Sequence, residues 1–293
     1  MGWRLWPRAI CIIGDLWYRE WAMKVYMLCD MEGVSGLYTK EHAWWWEEGA
    51  RQYIYAEEGR RLLTEDINSA AAAALAAGAH ELVVCDTHHG GGNVLWNELL
   101  SDPRVTYERP QSPRLMPSLD ETCRGLILLG HHAKAGTQDA FLDHSFSGSW
   151  FDFQINGMSI GEIGMETCYA GHWNVPLIMV QGDRACCTEA ESQFPGVVTA
   201  VVKRGLGFGR AAGPAPALAR ALTAEKVAEA IARLQAGVFQ PFRPSLPITV
   251  RILTQTTEEA ERIASRPWAR RLDGRAVEAT VERQCDILSW ATG

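Results

Sequence analysis

The sequence predicts an α/β protein with a mixed, mostly parallel sheet flanked by helices and a smaller C-terminal α/β subdomain. Two observations carry this prediction. Short apolar runs of strand length alternate with longer segments in which apolar residues recur at helical spacing. Three of the apolar runs also end in Asp, Glu or His, which is typical of the carboxyl edge of an open α/β sheet. The chain of 293 residues is long enough for one large domain or two moderate ones.

The first part of the chain predicts three buried strands and one long helix. The strands are the apolar runs at residues 25–29, 81–85 and 125–129. Residues 47–77 are rich in Glu, Arg, Leu and Ala, which favours a helix, and Gly78 is suited to end it. We therefore expect strand–helix alternation, with the polar residues after each strand gathered at one edge of the sheet.

The second part predicts a hairpin, several strand–helix pairs and a final small unit. Residues 145–160 alternate in polarity around Asn156-Gly157, a strong hairpin-turn signal. The following segments predict helices at 161–173, 185–193 and 225–235, and strands at 177–180 and 197–202. A basic, glycine-rich stretch covers residues 203–213. After a proline-containing linker, a small strand–helix–strand unit is expected at residues 249–253, 258–264 and 276–282.

Composition and charge indicate an ordinary globular protein. Hydrophobic residues make up 47% and charged residues 22% of the chain. The net charge of −7 and the absence of a long Lys/Arg run argue against nucleic acid or an anionic membrane as the main partner. None of the eight cysteines forms a CxxC pair, so we expect buried free thiols and a cytoplasmic location.

The candidate chemistry begins with Asp30 and Glu32 in the segment KVYMLCDMEGVSG. Residues two positions apart on a strand point to the same side, so these carboxylates should lie together at the sheet edge. Like charges repel, so such a pair is costly unless a cation lies between them. His88, His132 and Glu162 also follow strands or begin a helix, and carboxylates with neutral imidazoles are ligands of borderline divalent metals. Five such groups suit a two-metal site.

Each of these residues also has an ordinary structural explanation. Glu32 could cap a turn, and Glu162 could favour a helix N-terminus. His88 and His89 could be solvated or could belong to a phosphate-cradling loop, and one member of the pair His131-His132 is expected to be an ordinary polar residue. The joint occurrence of several such groups at strand ends favours a metal site.

Five motifs in order resemble those of the zinc-dependent D-aminopeptidases of the DppA type. They are DMEGVSG, CDTHHGG, LLGHHAKA, DHSFSG and GEIGMETCYAG, and the likeness extends through VPLIMVQGDRACCTEAE. The resemblance runs from about residue 23 to residue 204 and is weaker beyond. It implies that Asp30 and Glu32 bind zinc, and that His88 does so because it follows Asp-Thr as the family histidine follows Asp-Ser.

The resemblance also assigns roles to the remaining site residues. The family pattern Gly-aromatic-His-Ala makes His132 a ligand and leaves His131 in the place of the usual aromatic residue. The glutamate of the family's GE-[LI]-G motif corresponds to Glu162. The histidine before serine in the fourth motif corresponds to His144, a nucleophile or proton-transfer group beside the metals.

The activity implied by the resemblance is that of a di-zinc aminopeptidase. A metal-activated water would hydrolyse short peptides that begin with a D-residue such as D-alanine, with two Zn²⁺ per subunit. The family also implies a homo-oligomer, for which a decameric ring is one arrangement. The alternatives are a di-metal phosphoesterase or amidohydrolase that uses the same ligands, and a non-catalytic, metal-stabilised peptide-binding assembly.

The predicted organisation has three parts. Residues 1–22 form an extension outside the core, or alternatively a short tryptophan-rich docking segment. Residues 23–204 form the metal-binding catalytic domain, and residues 205–293 form the smaller C-terminal α/β subdomain. For Trp44, Trp45 and Trp46 we expect packing or assembly rather than substrate contact, and for Asp183 and Arg184 a supporting position beside the site.

Overall fold

The computed structural model describes residues 23–45, 52–112 and 114–292. For residues 52–55 it describes the backbone but not the side chains. The predicted extension at residues 1–22, Trp46 and the predicted start of the helix at residues 47–51 lie outside this described part. No helix within it is long and apolar enough to cross a membrane.

The described chain contains strands and helices in alternation over most of its length. The strands are β1 (Lys24–Cys29), β2 (Glu81–Asp86), β3 (Val105–Glu108), β4 (Cys123–His131), β5 (Trp150–Ile155), β6 (Met158–Ile160), β7 (Leu177–Asp183), β8 (Val198–Gly205), β9 (Ala211–Ala212), β10 (Ile248–Thr254), β11 (Arg270–Arg271) and β12 (Ala276–Val281). The α-helices are α1 (Lys40–Ala43), α2 (Gln52–Ala76), α3 (Glu162–Gly171), α4 (Arg184–Gln193), α5 (Pro216–Gln235), α6 (Thr257–Ala264) and α7 (Ser289–Thr292).

The strands form two sheets. The larger has the order β3-β2-β1-β4-β7-β8-β9, in which every pairing is parallel except that of β8 with β9. The smaller sheet has the order β11-β12-β10-β5-β6 and is antiparallel throughout. The predicted mixed, mostly parallel α/β fold is therefore confirmed.

Helices cover both faces of the larger sheet because alternate residues of its central strand point to opposite sides. Val25 and Met27 of β1 pack with α2 and α5, whereas Tyr26 and Leu28 pack with α3 and α4. Helix α3 also reaches the smaller sheet, since Met165 and Cys168 belong to the apolar core of that sheet. These contacts fix the start of α3 against the carboxyl edge of the larger sheet.

Most predicted elements are present, with differences at their ends. The hairpin at Asn156-Gly157 joins β5 and β6, and both turn residues have positive φ, as a two-residue hairpin turn requires. The helix predicted at residues 225–235 begins earlier than expected, at Pro216, where the fixed φ of proline suits the first turn. The glycine-rich stretch holds the turn between β8 and β9. The short, half-buried strand β3 was not predicted, because its residues show no regular alternation.

The smaller sheet combines strands from both sides of the predicted boundary near residue 205. Strands β5 and β6 precede that position and β10 to β12 follow it, while α5 packs against the larger sheet. The boundary stays a prediction. The cysteines in the described chain are all free, as expected, and six of them are buried.

Candidate metal centre

The centre lies where the loops after β1 and β4 approach each other. The backbone amide of Asp30 donates to the carbonyl of Leu129 (2.8 Å), and that of Gly33 donates to the carbonyl of Gly130 (2.6 Å). A side-chain carbon on Gly33 would collide with the backbone of His131, and one on Gly130 would collide with the Asp30 carbonyl. Two glycines therefore allow the contact that brings both loops to one place.

Asp30 and Glu32 meet His88 from the end of β2. Nδ1 of His88 lies 2.9 Å from Asp30 Oδ1 and 3.1 Å from Glu32 Oε2. The other ring nitrogen, Nε2, lies 3.0 Å from the carbonyl oxygen of Ala43, which can only accept. Nε2 therefore carries the proton that it donates, and Nδ1 faces the two carboxylates. The adjacent His89 is exposed, so only one member of this histidine pair joins the centre.

A second group forms around His132. Its Nε2 lies 3.1 Å from Glu162 Oε1 and 3.5 Å from Asp30 Oδ2. The ring of His144 stacks on that of His132 with 3.8 Å between centroids. Nε2 of His144 lies 3.8 Å from Glu32 Oε1 and 3.9 Å from Glu162 Oε1. All six predicted residues thus come together in one place.

These residues fit a divalent metal. Two overlapping triads, Asp30–Glu32–His132 and His132–His144–Glu162, each offer ligand atoms within 4.8 Å of one another. His132 Nε2 and Glu162 Oε1 are buried and close, yet in the described chain neither has a hydrogen-bond partner, and the same is true of Glu32 Oε2. Buried polar atoms are normally hydrogen-bonded, so buried ligand-type atoms that converge in ion pairs without hydrogen-bond geometry are arranged like ligands around an ion.

The charged side chains of the centre shift one another's pKa values. Burial raises the pKa of Asp30, and the charge of Glu32 raises it further. Burial alone would also raise the pKa of Glu32, but the charges of His88, His144 and His132 hold it well below its usual value.

The imidazoles respond in the opposite sense. Burial lowers the pKa of His88 and His132, but the facing carboxylates outweigh burial and hold both pKa values well above 6.5. Protons on these rings therefore balance the carboxylates in the metal-free protein, and a bound metal would displace them.

A cavity of about 440 Å³ opens onto the centre. Its lining includes Trp44, Leu115, Phe146 and Glu166 in addition to metal-ligand candidates. The indole Nε1 of Trp44 donates to Glu32 Oε1 (2.8 Å), and its ring meets that of His144 edge-on with 5.3 Å between centroids. Trp44 therefore contributes to the site itself, whereas the expectation for the tryptophan run was packing or assembly.

Several buried residues support the centre from behind. Asp183 accepts from the backbone amides of Phe141 (2.6 Å) and Cys186 (2.8 Å), which fixes the segment that leads to His144. Asp183 thus lies where it was expected, while Arg184 is exposed. Lys203 donates to the carbonyls of Glu32 and Leu37 and so holds the loop after β1.

Lys203 was not predicted as a site residue. Burial lowers its pKa to about 7. The one available signal for its burial was its position directly after the apolar residues of β8.

Comparison with known proteins agrees with the motifs. The family model described as D-aminopeptidase matches residues 23–292. A D-aminopeptidase of Bacillus subtilis (strain 168) is 35% identical over 146 residues, a match that spans 50% of this chain and only 53% of that protein.

A solved structure is also similar over nearly the whole chain. It is described as the Zn-dependent D-aminopeptidase DppA from Bacillus subtilis, a self-compartmentalizing protease. It is 31% identical to this chain with a TM-score of 0.83, and the match covers 92% of this chain and 95% of that one. The resemblance and enzyme class predicted from the motifs are confirmed at the level of the family: this chain belongs to the D-aminopeptidase family of peptidases.

Proposed function

We propose that this protein is a di-zinc aminopeptidase that hydrolyses short peptides beginning with a D-residue of the D-alanine type. The observation that carries the proposal is the pair of overlapping triads that share His132. Asp30, Glu32, His88, His132 and Glu162 would hold the two ions. When bound, zinc supplies Lewis acidity and lowers the pKa of water to about 7.

The protein's own groups would perform the remaining steps. Of the acidic residues that line the cavity, Glu166 is not assigned to an ion and would favour the free ammonium group of a peptide over an N-acylated end. His144 donates from Nδ1 to the carbonyl of Leu142 (3.0 Å), which leaves Nε2 facing the centre. Its side chain is 22% exposed, more than the other histidines of the centre. Nε2 of His144 would carry a proton to the leaving amine, and Trp44 would shield that nitrogen from bulk water.

A phosphoesterase is the less favoured alternative, because the loop after β2 does not offer its amides. The carboxylate of Asp86 accepts from the backbone amides of Gly92 (2.8 Å) and Asn93 (2.6 Å), and from the side chain of Asn93 (3.0 Å). These donors would have to face outward in order to cradle a phosphate. They are turned inward and satisfied by protein.

We also propose that the protein forms a homo-oligomer that admits only short peptides. The structurally similar Bacillus subtilis enzyme is described as self-compartmentalizing. Large apolar side chains are exposed on this chain, among them Leu218 (67%) and Trp268 (83%), and would be available for subunit contacts. Light scattering coupled to size-exclusion chromatography tests the assembly, including the decameric ring. A monomer would contradict this part of the proposal.

One set of measurements tests the activity. Purified protein should contain two zinc equivalents per chain, and should cleave D-Ala-D-Ala faster than L-Ala-L-Ala and faster than a phosphodiester. Cleavage of the phosphodiester alone would reject the peptidase assignment. A melting temperature that falls on chelation, without hydrolysis of any peptide, would favour a non-catalytic binding protein.

A further inference from the structure

Glu166 is an acidic residue of the cavity that the metal centre does not use. It lies four positions after Glu162 on α3, so the two side chains share a helix face about one turn, ~5.4 Å, apart. Glu166 is only 2% exposed, yet it lines the cavity together with Glu162. It is not among the five residues proposed to hold the ions, and its Oε2 is paired with His131 instead. A buried carboxylate that lines a substrate cavity but is not a metal ligand is expected to have a different function.

His131 holds the carboxylate of Glu166 in place. Nε2 of His131 lies 2.6 Å from Glu166 Oε2, and the imidazole is fully buried between β4 and α3. The other nitrogen, Nδ1, lies 3.3 Å from the carbonyl oxygen of Leu129. The ring is therefore fixed at both nitrogens. This histidine occupies the position where the motif resemblance has an aromatic residue, which could not make the same two contacts.

The position of Glu166 suits the amino end of a peptide. In an aminopeptidase substrate the α-ammonium is separated from the scissile carbonyl carbon by a single carbon atom. A carbonyl held at the metal ligands would therefore place its ammonium within about one helical turn of them, which is the spacing between Glu162 and the cavity-lining Glu166. The neighbouring wall of Leu115 and Phe146 is apolar and suits a small aliphatic side chain.

We propose that Glu166, positioned by His131, binds the α-ammonium group of the substrate and restricts cleavage to the first residue of a peptide. This inference rests on the proposed peptidase function. Glu166 is a binding residue in this scheme, and His131 is a positioning residue that acts through it.

The test compares Glu166→Gln with a matched control, Glu189→Gln. Glu189 is another buried glutamate, on α4, which accepts from the amide of Lys134 (2.8 Å) and does not line the cavity. A charged hydrogen bond is lost in Glu166→Gln, so kcat/KM for D-alanine p-nitroanilide should fall about 10- to 100-fold, mainly through KM. Zinc content should stay unchanged. Propionyl p-nitroanilide, which lacks the amine, should be cleaved equally slowly by both variants and the wild type.

Binding of D-alaninamide, followed by calorimetry on the zinc-loaded protein, gives a readout that does not require turnover. Glu166→Gln should weaken this binding by a similar factor, and the control should not. An unchanged KM and unchanged D-alaninamide binding in Glu166→Gln would overturn the inference, as would loss of zinc. A wild type that binds D-alaninamide but cleaves no peptide would instead reject the proposed function and leave the ammonium site in place.

Variants of His131 test the positioning role without altering the carboxylate. His131→Phe removes the hydrogen-bond donor and should raise KM for the free-amine substrate with little change in kcat. His131→Gln keeps a donor and should restore part of the loss. Equal KM values in these two variants would show that His131 does not act through Glu166.

Discussion

Replacing Trp44 by phenylalanine tests whether the indole stabilises the metal-binding form of Glu32. The substitution keeps an aromatic wall but removes one donor, whose 2.8 Å bond ends on a carboxylate that is 1% exposed. The acceptor carboxylate is almost fully buried, so the loss should lie in the range of a charged hydrogen bond, about 1.5–3 kcal/mol. Partners that orient a metal ligand typically change metal affinity by about 10- to 100-fold, which is the weakening of zinc binding that we expect.

Competition with a chromophoric chelator measures this change directly. The matched control is Trp150→Phe, because Trp150 also donates from its indole to a glutamate, Glu259 (3.1 Å), but does so beside the smaller sheet. The control should lower the melting temperature while leaving zinc affinity unchanged. If Trp44→Phe bound zinc as tightly as the wild type, the argument that this indole tunes Glu32 would be refuted.

Three further predictions follow from the centre. Glu32→Ala should lose zinc and activity together, as metal analysis and a D-Ala-D-Ala assay would show; retention of two zinc equivalents would contradict its assignment as a ligand. His144→Ala should keep most of its zinc yet lose turnover by about 10²- to 10⁴-fold, and normal turnover would remove His144 from the mechanism. In chelated protein, the raised pKa values of His88 and His132 add stability that is complete below pH 6.5 and is lost as the pH rises through their folded values. The melting temperature of metal-free protein should therefore fall above pH 6.5 and that of the zinc-loaded protein should not; parallel curves would contradict the coupling.

The sequence predicted best those site residues whose positions follow from strand periodicity and from the topology of the sheet. Asp30 and Glu32 lie two residues apart after a strand, and alternation alone places them on one side. The parallel order of β1, β2 and β4 then brings His88 and His132 to the same edge. Glu162 was a candidate because it begins a predicted helix, whereas the role given to His144 depended on the motif resemblance.

The rest could not be predicted because it depends on contacts between distant parts of the chain. Lys203 holds a carbonyl that lies 171 positions earlier, and no local pattern encodes that pairing. The bond between His131 and Glu166 joins residues 35 positions apart, on a strand and a helix whose relative rotation is set only by packing. The smaller sheet likewise pairs β5 with β10, two strands that each resemble ordinary amphipathic segments in isolation.

Helix α3 links the stability of the smaller sheet to the chemistry of the metal centre beside it. One face of the helix carries Glu162 and Glu166, while Met165 and Cys168 on the adjacent face are buried in the core of the smaller sheet. Deleting the strands after residue 247 would expose those two apolar side chains to water and leave the helix without its outer support. A shortened chain that keeps every metal ligand should therefore still be a poor catalyst, and attempts to minimise this enzyme should retain its last strands.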